Sequence, residues 1–283
     1  MCTLILGRDV VAEHSVLLAA NRDEDPARPS DPPRVLRESP RLVGGRDARA
    51  GGTWLAVREC CAVVAVLNRR DRAPARAAAR HDRRSRGALV LEVAGVDARE
   101  PTLAGSAAEG HEITECLRGA SGDGLARVAA CRALASLRDA PCAPCTLVFA
   151  APEACWLIAV EEDAAPRIEP LSRGWHVITH ADLDDLGEPR TAALLGELAG
   201  FAPRSVEQAE QRIDELLRSH GDAAKERPPV CLHEGRMVTV SASSVWLAAG
   251  EARYRHAEGR PCEHPLADHS HLLLGRDSAA AGT

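Results

Sequence analysis

The order of apolar patterns along this 283-residue chain predicts an α+β fold. Short β-like runs open the sequence, helical periodicities fill its middle, and β-like runs return toward its end. That order suits one domain, residues 1–277, with helices covering stacked sheets and a frayed tail over 278–283. Apolar residues make up 45% of the chain but aromatic residues only 2%. Ala, Val and Leu must therefore supply the core, which favours extended layers over a compact aromatic cluster.

Cys2 to Gly7 reads as a buried strand and Ser15 to Ala20 as a second, with polar Arg8, Asp9, Glu13 and His14 between them. If they pair as an antiparallel hairpin turning near Val11, facing residue numbers sum to about 23. Cys2 then faces Asn21, and Arg22 and Asp23 follow one or two residues beyond. Asp25 to Pro40, rich in Pro and Arg, reads as a loop. Gly51-Gly52 turns into a strand running through Thr53, Trp54 and Val57, and Ala62 to Leu67 is apolar enough for a strand covered on both faces.

Arg86 to Ala94 and Ala126 to Leu137 read as helices. Thr146 to Ala150, Cys155 to Val160 and Trp175 to Thr179 read as strands. Ser205 and Gln208 form a capping box ahead of a helix whose Val206, Ala209, Ile213, Leu216 and Leu217 share one face, with Gly221 after its end. Val230 to Leu232, Met237 to Ser241 and Val245 to Ala248 return to strand character.

A net charge of -6 gives no electrostatic reason to expect nucleic acid. The arginines from Arg69 to Arg86 lack interleaved aromatics and read as a solvated loop. No apolar run reaches membrane-spanning length, and Arg8 and Asp9 stop the N-terminal run before it resembles a signal peptide. The ten cysteines then sit reduced in a cytoplasm. Cys142 and Cys145 form a C-x-x-C with no second such pair, and read as structural thiols. Cys262, His264, His269 and His271 match no standard zinc spacing, and His233 after Cys231 reads as structural. No metal and no cofactor are expected.

The chemistry concentrates at the start. Removal of Met1 leaves Cys2 with a thiol and a free α-amine on one residue, the logic of an N-terminal nucleophile. Their ordinary pKa values, about 8.5 and about 8, allow a proton to pass between them near neutrality. The hairpin returns Asn21-Arg22-Asp23-Glu24 beside this thiol. Glu24 suits a cap or salt bridge, and Trp54 suits packing. Thr239, Ser241 and Ser244 offer hydroxyls to a pocket.

Met1-Cys2, Asn21-Arg22-Asp23-Glu24, Gly51-Gly52-Thr53-Trp54-Leu55 and Ser85-Arg86-Gly87 together resemble the signature of the Asn-Arg-Asp-Glu (NRDE) family, also called the transport and Golgi organisation 2 family. Gly174 to Thr191, Thr239-Val240-Ser241 and Tyr254 to Cys262 are similar as well. That family is related to N-terminal-nucleophile hydrolases such as bile salt hydrolase and penicillin acylase. The resemblance implies a four-layer αββα sandwich and cleavage of non-peptide amides. It implies Cys2 as nucleophile, Arg22 and Asp23 flanking the thiol and holding the α-amine, Asn68 as an oxyanion donor, and Arg190 as a later active-site arginine. One departure stands out: Thr179-His180-Ala181-Asp182 occupies a segment where the family carries Asn. His180 can donate in its place, but it titrates near neutral pH.

The leading expectation is a cysteine amidohydrolase or acyltransferase working on a small-molecule amide, thioester or acyl substrate through acyl-Cys2. The alternative is a carrier of haem or of acyl-CoA and related lipids, as the resemblance also implies; against haem stand the missing C-x-x-C-H and the few aromatics. A third possibility is a biosynthetic enzyme acting on a carrier-tethered acyl group. The sequence leaves acceptor and oligomeric state open.

Overall fold

A computed structural model describes residues 2–59, 61–70, 83–97, 99, 107–118, 124–162 and 164–274. In chain order the strands are β1 (Thr3–Arg8), β2 (Val16–Glu24), β3 (Ser30–Glu38), β4 (Arg41–Asp47), β5 (Leu55–Arg58) and β6 (Ala62–Asn68). Three helices follow, α1 (Arg86–Ala94), α2 (Ala107–Cys116) and α3 (Gly124–Asp139), then β7 (Cys145–Ala150), β8 (Cys155–Val160), β9 (Arg167–Pro170) and β10 (Gly174–Ile178). The chain continues with α4 (Pro189–Leu198), α5 (Val206–Leu217), β11 (Val238–Ala248), β12 (Glu251–Glu258) and β13 (Ala267–Asp268).

These elements form two compact units. One comprises residues up to Pro29 with Ser172–His271, and the other Ser30–Leu171 with the residues from Leu272 onward. The first is a six-stranded sheet in the order β10-β1-β2-β11-β12-β13, and the second a seven-stranded sheet in the order β3-β4-β5-β6-β7-β8-β9. All pairings are antiparallel. Each sheet carries its own helices, so the α+β class holds.

In the second unit, alternate residues of the sheet face α1 and α3. Ala62, Val64, Leu147, Phe149, Trp156 and Ile158 pack with Leu89, Val93, Ala130 and Leu134 in one apolar cluster. Phe149 and Trp156 stack there at 5.1 Å, and the Trp156 indole N–H donates to the Ala126 carbonyl at 3.1 Å. In the first unit Ile5, Leu17, Ala19, Val177 and Trp246 pack under Leu194, Leu198, Ala209, Ile213 and Leu217 of α4 and α5.

Several expectations need correction. The Pro-rich stretch contains β3, an edge strand, and Pro32 and Pro33 fall at a register shift between Asp31 and Arg34 where their missing N–H groups cost no ladder bond. Val230 to Leu232 is not a strand; its backbone bonds go instead to Ser219 and Thr239. The two strands expected over 237–248 are one, β11. Of the described arginines of the Arg69–Arg86 stretch, Arg70 is exposed, but Arg69, Arg83, Arg84 and Arg86 are anchored. Arg69 donates to Thr146 Oγ1 at 3.1 Å, Arg83 pairs with Glu162, and Arg86 donates to the Pro144 carbonyl at 3.2 Å. Residues 71–82, like the tail 278–283 and Met1, lie outside the described residues.

Candidate active site

The β1–β2 hairpin has a seven-residue connection from Asp9 to Ser15. Asp9 N–H donates to the Ser15 carbonyl at 2.9 Å, and Ser15 N–H to Asp9 Oδ1 at 3.2 Å. Asp9 and His14 take left-handed conformations, with φ of 55° and 53°. This connection centres the turn on Ala12, so Thr3 rather than Cys2 faces Asn21. The expected register is off by one, and a one-residue slip exchanges the two faces of a strand. Thr3, Asn21 and Asp23 thus face α4 and α5. Cys2 lies level with Arg22 on the other face.

The same counting extends across the sheet. β10 pairs with β1 so that Leu4 faces Ile178, where the ladder ends; the same register carried two residues on, into the bend at Thr179 and His180, sets His180 against Cys2. β11 pairs with β2 so that Ser241 faces Arg22. His180, Cys2, Arg22 and Ser241 therefore form one row over four adjacent strands, spaced by about 4.8 Å per strand. His180, Arg22 and Ser241 are all buried. The Ser241 hydroxyl is enclosed and finds no hydrogen-bond partner among the described residues.

Behind this row lies a second, polar cluster. Arg190, at the start of α4, donates to Thr3 Oγ1 at 2.9 Å and stands 3.6 Å from Asp23 Oδ2. Thr239 Oγ1 donates to Asp23 Oδ1 at 2.7 Å. α4 is aimed by its own cap, since Glu188 accepts from Thr191 N–H at 2.7 Å and Pro189 opens the helix. Asn21 holds a different contact: its side-chain amide donates to the carbonyls of Leu217 and Val230, at 2.9 and 3.1 Å. Glu24 sits at the rim, 3.7 Å from Arg22, as an ion-pair partner.

Burial pushes the Cys2 thiol above its ordinary value, and the negative charge of Asp23 adds to it; the Arg22 guanidinium pulls the other way and loses. The thiol S–H donates to the Asp23 carbonyl at 3.8 Å. Burial also raises the Asp23 carboxyl, against the hydrogen bond from Thr239 and the charge of Arg190.

Asn68 is exposed at the end of β6 in the second unit, where it pairs with Cys145. Gly51-Gly52-Thr53-Trp54 has a packing role: a Cβ on Gly52 would lie 2.4 Å from the Gly87 carbonyl carbon, and Thr53 N–H donates to the Gly87 carbonyl at 3.2 Å. The Gly-Gly-Thr-Trp and Ser-Arg-Gly motifs are thus one backbone contact. Ser244 accepts from Arg255 at 3.3 Å and belongs to the α5 surface. Cys142 and Cys145 are buried with their sulfurs 3.6 Å apart. The residue missed in the sequence as a member of the core of the site is Thr3; only the corrected register reveals it.

Residues 1–115 match the family model described as Transport and Golgi organisation 2.

That span contains the motifs from Met1-Cys2 to Ser85-Arg86-Gly87, so the resemblance holds over it; the similar segments from Gly174 onward lie outside it. A search of curated proteins finds no match. Among solved structures, the chain is similar to an N-acylethanolamine-hydrolyzing acid amidase ortholog of Caenorhabditis elegans, at 13% identity over 86% of this chain and 92% of that one, with a TM-score of 0.47. It is similar to the C2A mutant of conjugated bile acid hydrolase from Clostridium perfringens, at 11% identity over 97% and 94%, with a TM-score of 0.46. Penicillin V acylase from Agrobacterium tumefaciens is similar at 12% identity over 91% and 83%, with a TM-score of 0.48. No helix among the described residues is long and apolar enough to cross a membrane.

Proposed function

We propose that this chain is a cysteine N-terminal-nucleophile amidohydrolase or acyltransferase. The observation that carries the proposal is the row of His180, Cys2, Arg22 and Ser241, backed by buried Asp23, Thr239 and Arg190. In this reading a methionine aminopeptidase removes Met1 and leaves the α-amine on Cys2. Protonated, that amine sets a positive charge beside the sulfur and opposes the burial that otherwise holds the thiol neutral. Asp23 is its counter-charge.

The Cys2 thiol passes its proton to the α-amine, the sulfur attacks the carbonyl carbon of a small acyl amide or thioester, and a C–S bond forms. The oxyanion takes a hydrogen bond from His180. The carbonyl recollapses, the C–N or C–S bond to the leaving group breaks, and the α-ammonium gives that group its proton. Water or an amine then attacks the acyl-Cys2 carbonyl while the now neutral α-amine takes its proton; the bond to Cys2 sulfur breaks, and that proton returns to the sulfur to regenerate the thiol. A reducing, cytoplasmic setting belongs to this reading; the nine described cysteines are free thiols.

The test is turnover of a panel of N-acyl amides and acyl thioesters by wild type, Cys2→Ser and Cys2→Ala. Hydrolysis or transfer should fall more than ~10³-fold in Cys2→Ala. Undiminished turnover there would remove the nucleophile from the mechanism. Stoichiometric haem or acyl-CoA binding without turnover, unchanged in Cys2→Ala, would favour the carrier instead.

A further inference from the structure

Cys262 does not gather with His264, His269 and His271. It meets three residues from other segments of the first unit: His220, Cys231 and His233. One ligand atom from each of the four lies within 4.8 Å of all the others. The two sulfurs are 3.5 Å apart, His233 Nε2 is 3.1 Å from Cys262 Sγ, and it is 3.9 Å from Cys231 Sγ. Zinc binds thiolate at about 2.3 Å and imidazole nitrogen at about 2.0–2.1 Å in a tetrahedron, which spaces such atoms about 3.3–3.8 Å apart. The His220 and His233 rings meet edge to face at 4.7 Å, bringing both imidazoles to the same point.

Backbone contacts that involve none of the four side chains hold this arrangement. After α5 the chain turns through Gly221, whose φ of 77° and 2.3 Å approach of a notional Cβ to the Arg227 carbonyl demand glycine. Val230 and Cys231 N–H both donate to the Ser219 carbonyl at 2.9 Å, which sets His220 beside Cys231. Leu232 exchanges bonds with Thr239, at 2.9 Å to its Oγ1 and 3.0 Å from its N–H, and so fixes His233. Cys262 sits in a turn closed by donation from Glu263 and His264 N–H to the Arg260 carbonyl, at 3.0 and 2.8 Å. The second nitrogen of His233, Nδ1, faces Glu263 Oε1 at 3.7 Å, the carboxylate–histidine arrangement that commonly backs a metal-bound imidazole.

We propose that His220, Cys231, His233 and Cys262 form a structural binding site for a divalent cation of zinc type. The two sulfurs and two imidazole nitrogens select zinc over oxygen-seeking magnesium or calcium. Four protein ligands close the site and assign it a structural role. The cation would pin three segments: the exit of α5, the connection before β11 and the turn after β12. Asn21 holds the first two from the other side, through Leu217 and Val230. The clamp therefore braces the strand end that carries Arg22 and Asp23, without touching Cys2.

The test is metal analysis of the full chain purified under reducing conditions without chelator, followed by Co²⁺ titration of the stripped protein. Wild type should hold about one zinc per chain. With Co²⁺ it should show tetrahedral d–d bands with thiolate charge transfer, and stripping should lower the melting temperature. Cys262→Ser should lose the charge-transfer intensity of one thiolate. Because Cys231 is buried, the paired ligand variant is His233→Asn at the exposed rim, which should weaken zinc binding by at least ~10-fold. A metal-free wild type that gives no thiolate bands with Co²⁺ would overturn the proposal. So would stoichiometry and affinity unchanged in both variants, or a Cys231–Cys262 disulfide that persists under reductant.

Discussion

Thr239 Oγ1 donates to Asp23 Oδ1 across two paired strands, and a β-bulge makes the contact possible. Thr239 faces Asp23 while Ser241 faces Arg22, so Val240 is the extra residue. Without the bulge, Val240 would face Asp23 and a fully buried carboxylate would lose its hydroxyl donor. Thr239→Val removes that donor at nearly constant shape. It should cost about 1.5–3 kcal/mol, the range for a hydrogen bond to a charged group, and Thr239→Ser should cost far less. Urea denaturation of the two variants checks this; a loss in Thr239→Ser as large as or larger than in Thr239→Val would contradict the hydroxyl's role.

Asn21 works on the same strand by a different route. Its amide closes two carbonyls, at the end of α5 and at Val230. Asn21→Ala should cost about 1–3 kcal/mol, because two buried acceptors lose their donor. Hydrogen exchange should quicken from Leu217 to Cys231 and stay unchanged in the second unit. Quickening spread evenly over both units would contradict a local tie.

Gly51 and Gly52 should separate cleanly. Gly51 has φ of 75° with open space around a notional Cβ, so Gly51→Ala costs only the left-handed strain of about 1–2 kcal/mol. Gly52→Ala would force its methyl into the Gly87 backbone at 2.4 Å. It should cost more than Gly51→Ala, by about 1–3 kcal/mol, as overpacking does. Melting curves of the two variants rank them; a milder Gly52→Ala would refute the backbone contact.

His256 supplies a pH dependence of known sign. Burial, helped by the charge of His269, pushes it down to about 4. Its Nδ1 meets the Ser243 hydroxyl at 2.9 Å. The folded state thus binds fewer protons than the unfolded chain, whose His titrates near about 6.5. Stability from this group is complete above about 6.5 and falls with pH toward 4, by about 3 kcal/mol in all. His176 has the opposite sign: burial lowers it, but Asp184 and the Ser172 carbonyl outweigh burial and raise it. Comparing wild type with His256→Gln by urea melts between pH 7 and 4 isolates His256, using pH values chosen to bracket its shift. The variant should lose less stability on acidification, and parallel curves would contradict the assignment.

Elements with a strong local pattern were legible in the sequence. The Ser205 cap, the apolar face of α5 and the continuous apolar runs of β6 and β8 declare themselves within a few residues. The edge strand β3 was hidden because proline usually marks loops, and its pairing depends on a register shift set by β4. The hairpin brought Asn21, Arg22 and Asp23 back to Cys2 as expected. Its register, however, rests on two left-handed turn residues, Asp9 and His14, neither of them glycine. The Cys–His cluster was illegible for a different reason. Its members come from three segments joined by tertiary hydrogen bonds, and no spacing rule spans them.

The most direct test of the acyl-Cys2 claim is the intact mass of the native protein before and after brief exposure to a thiol-reactive acyl donor, with peptide mapping. The account predicts loss of Met1 and a single acyl group on Cys2, absent from Cys2→Ala. Retained Met1 with Cys2 unmodified would contradict it, since the α-amine and the nucleophile would then both be missing from the proposed chemistry.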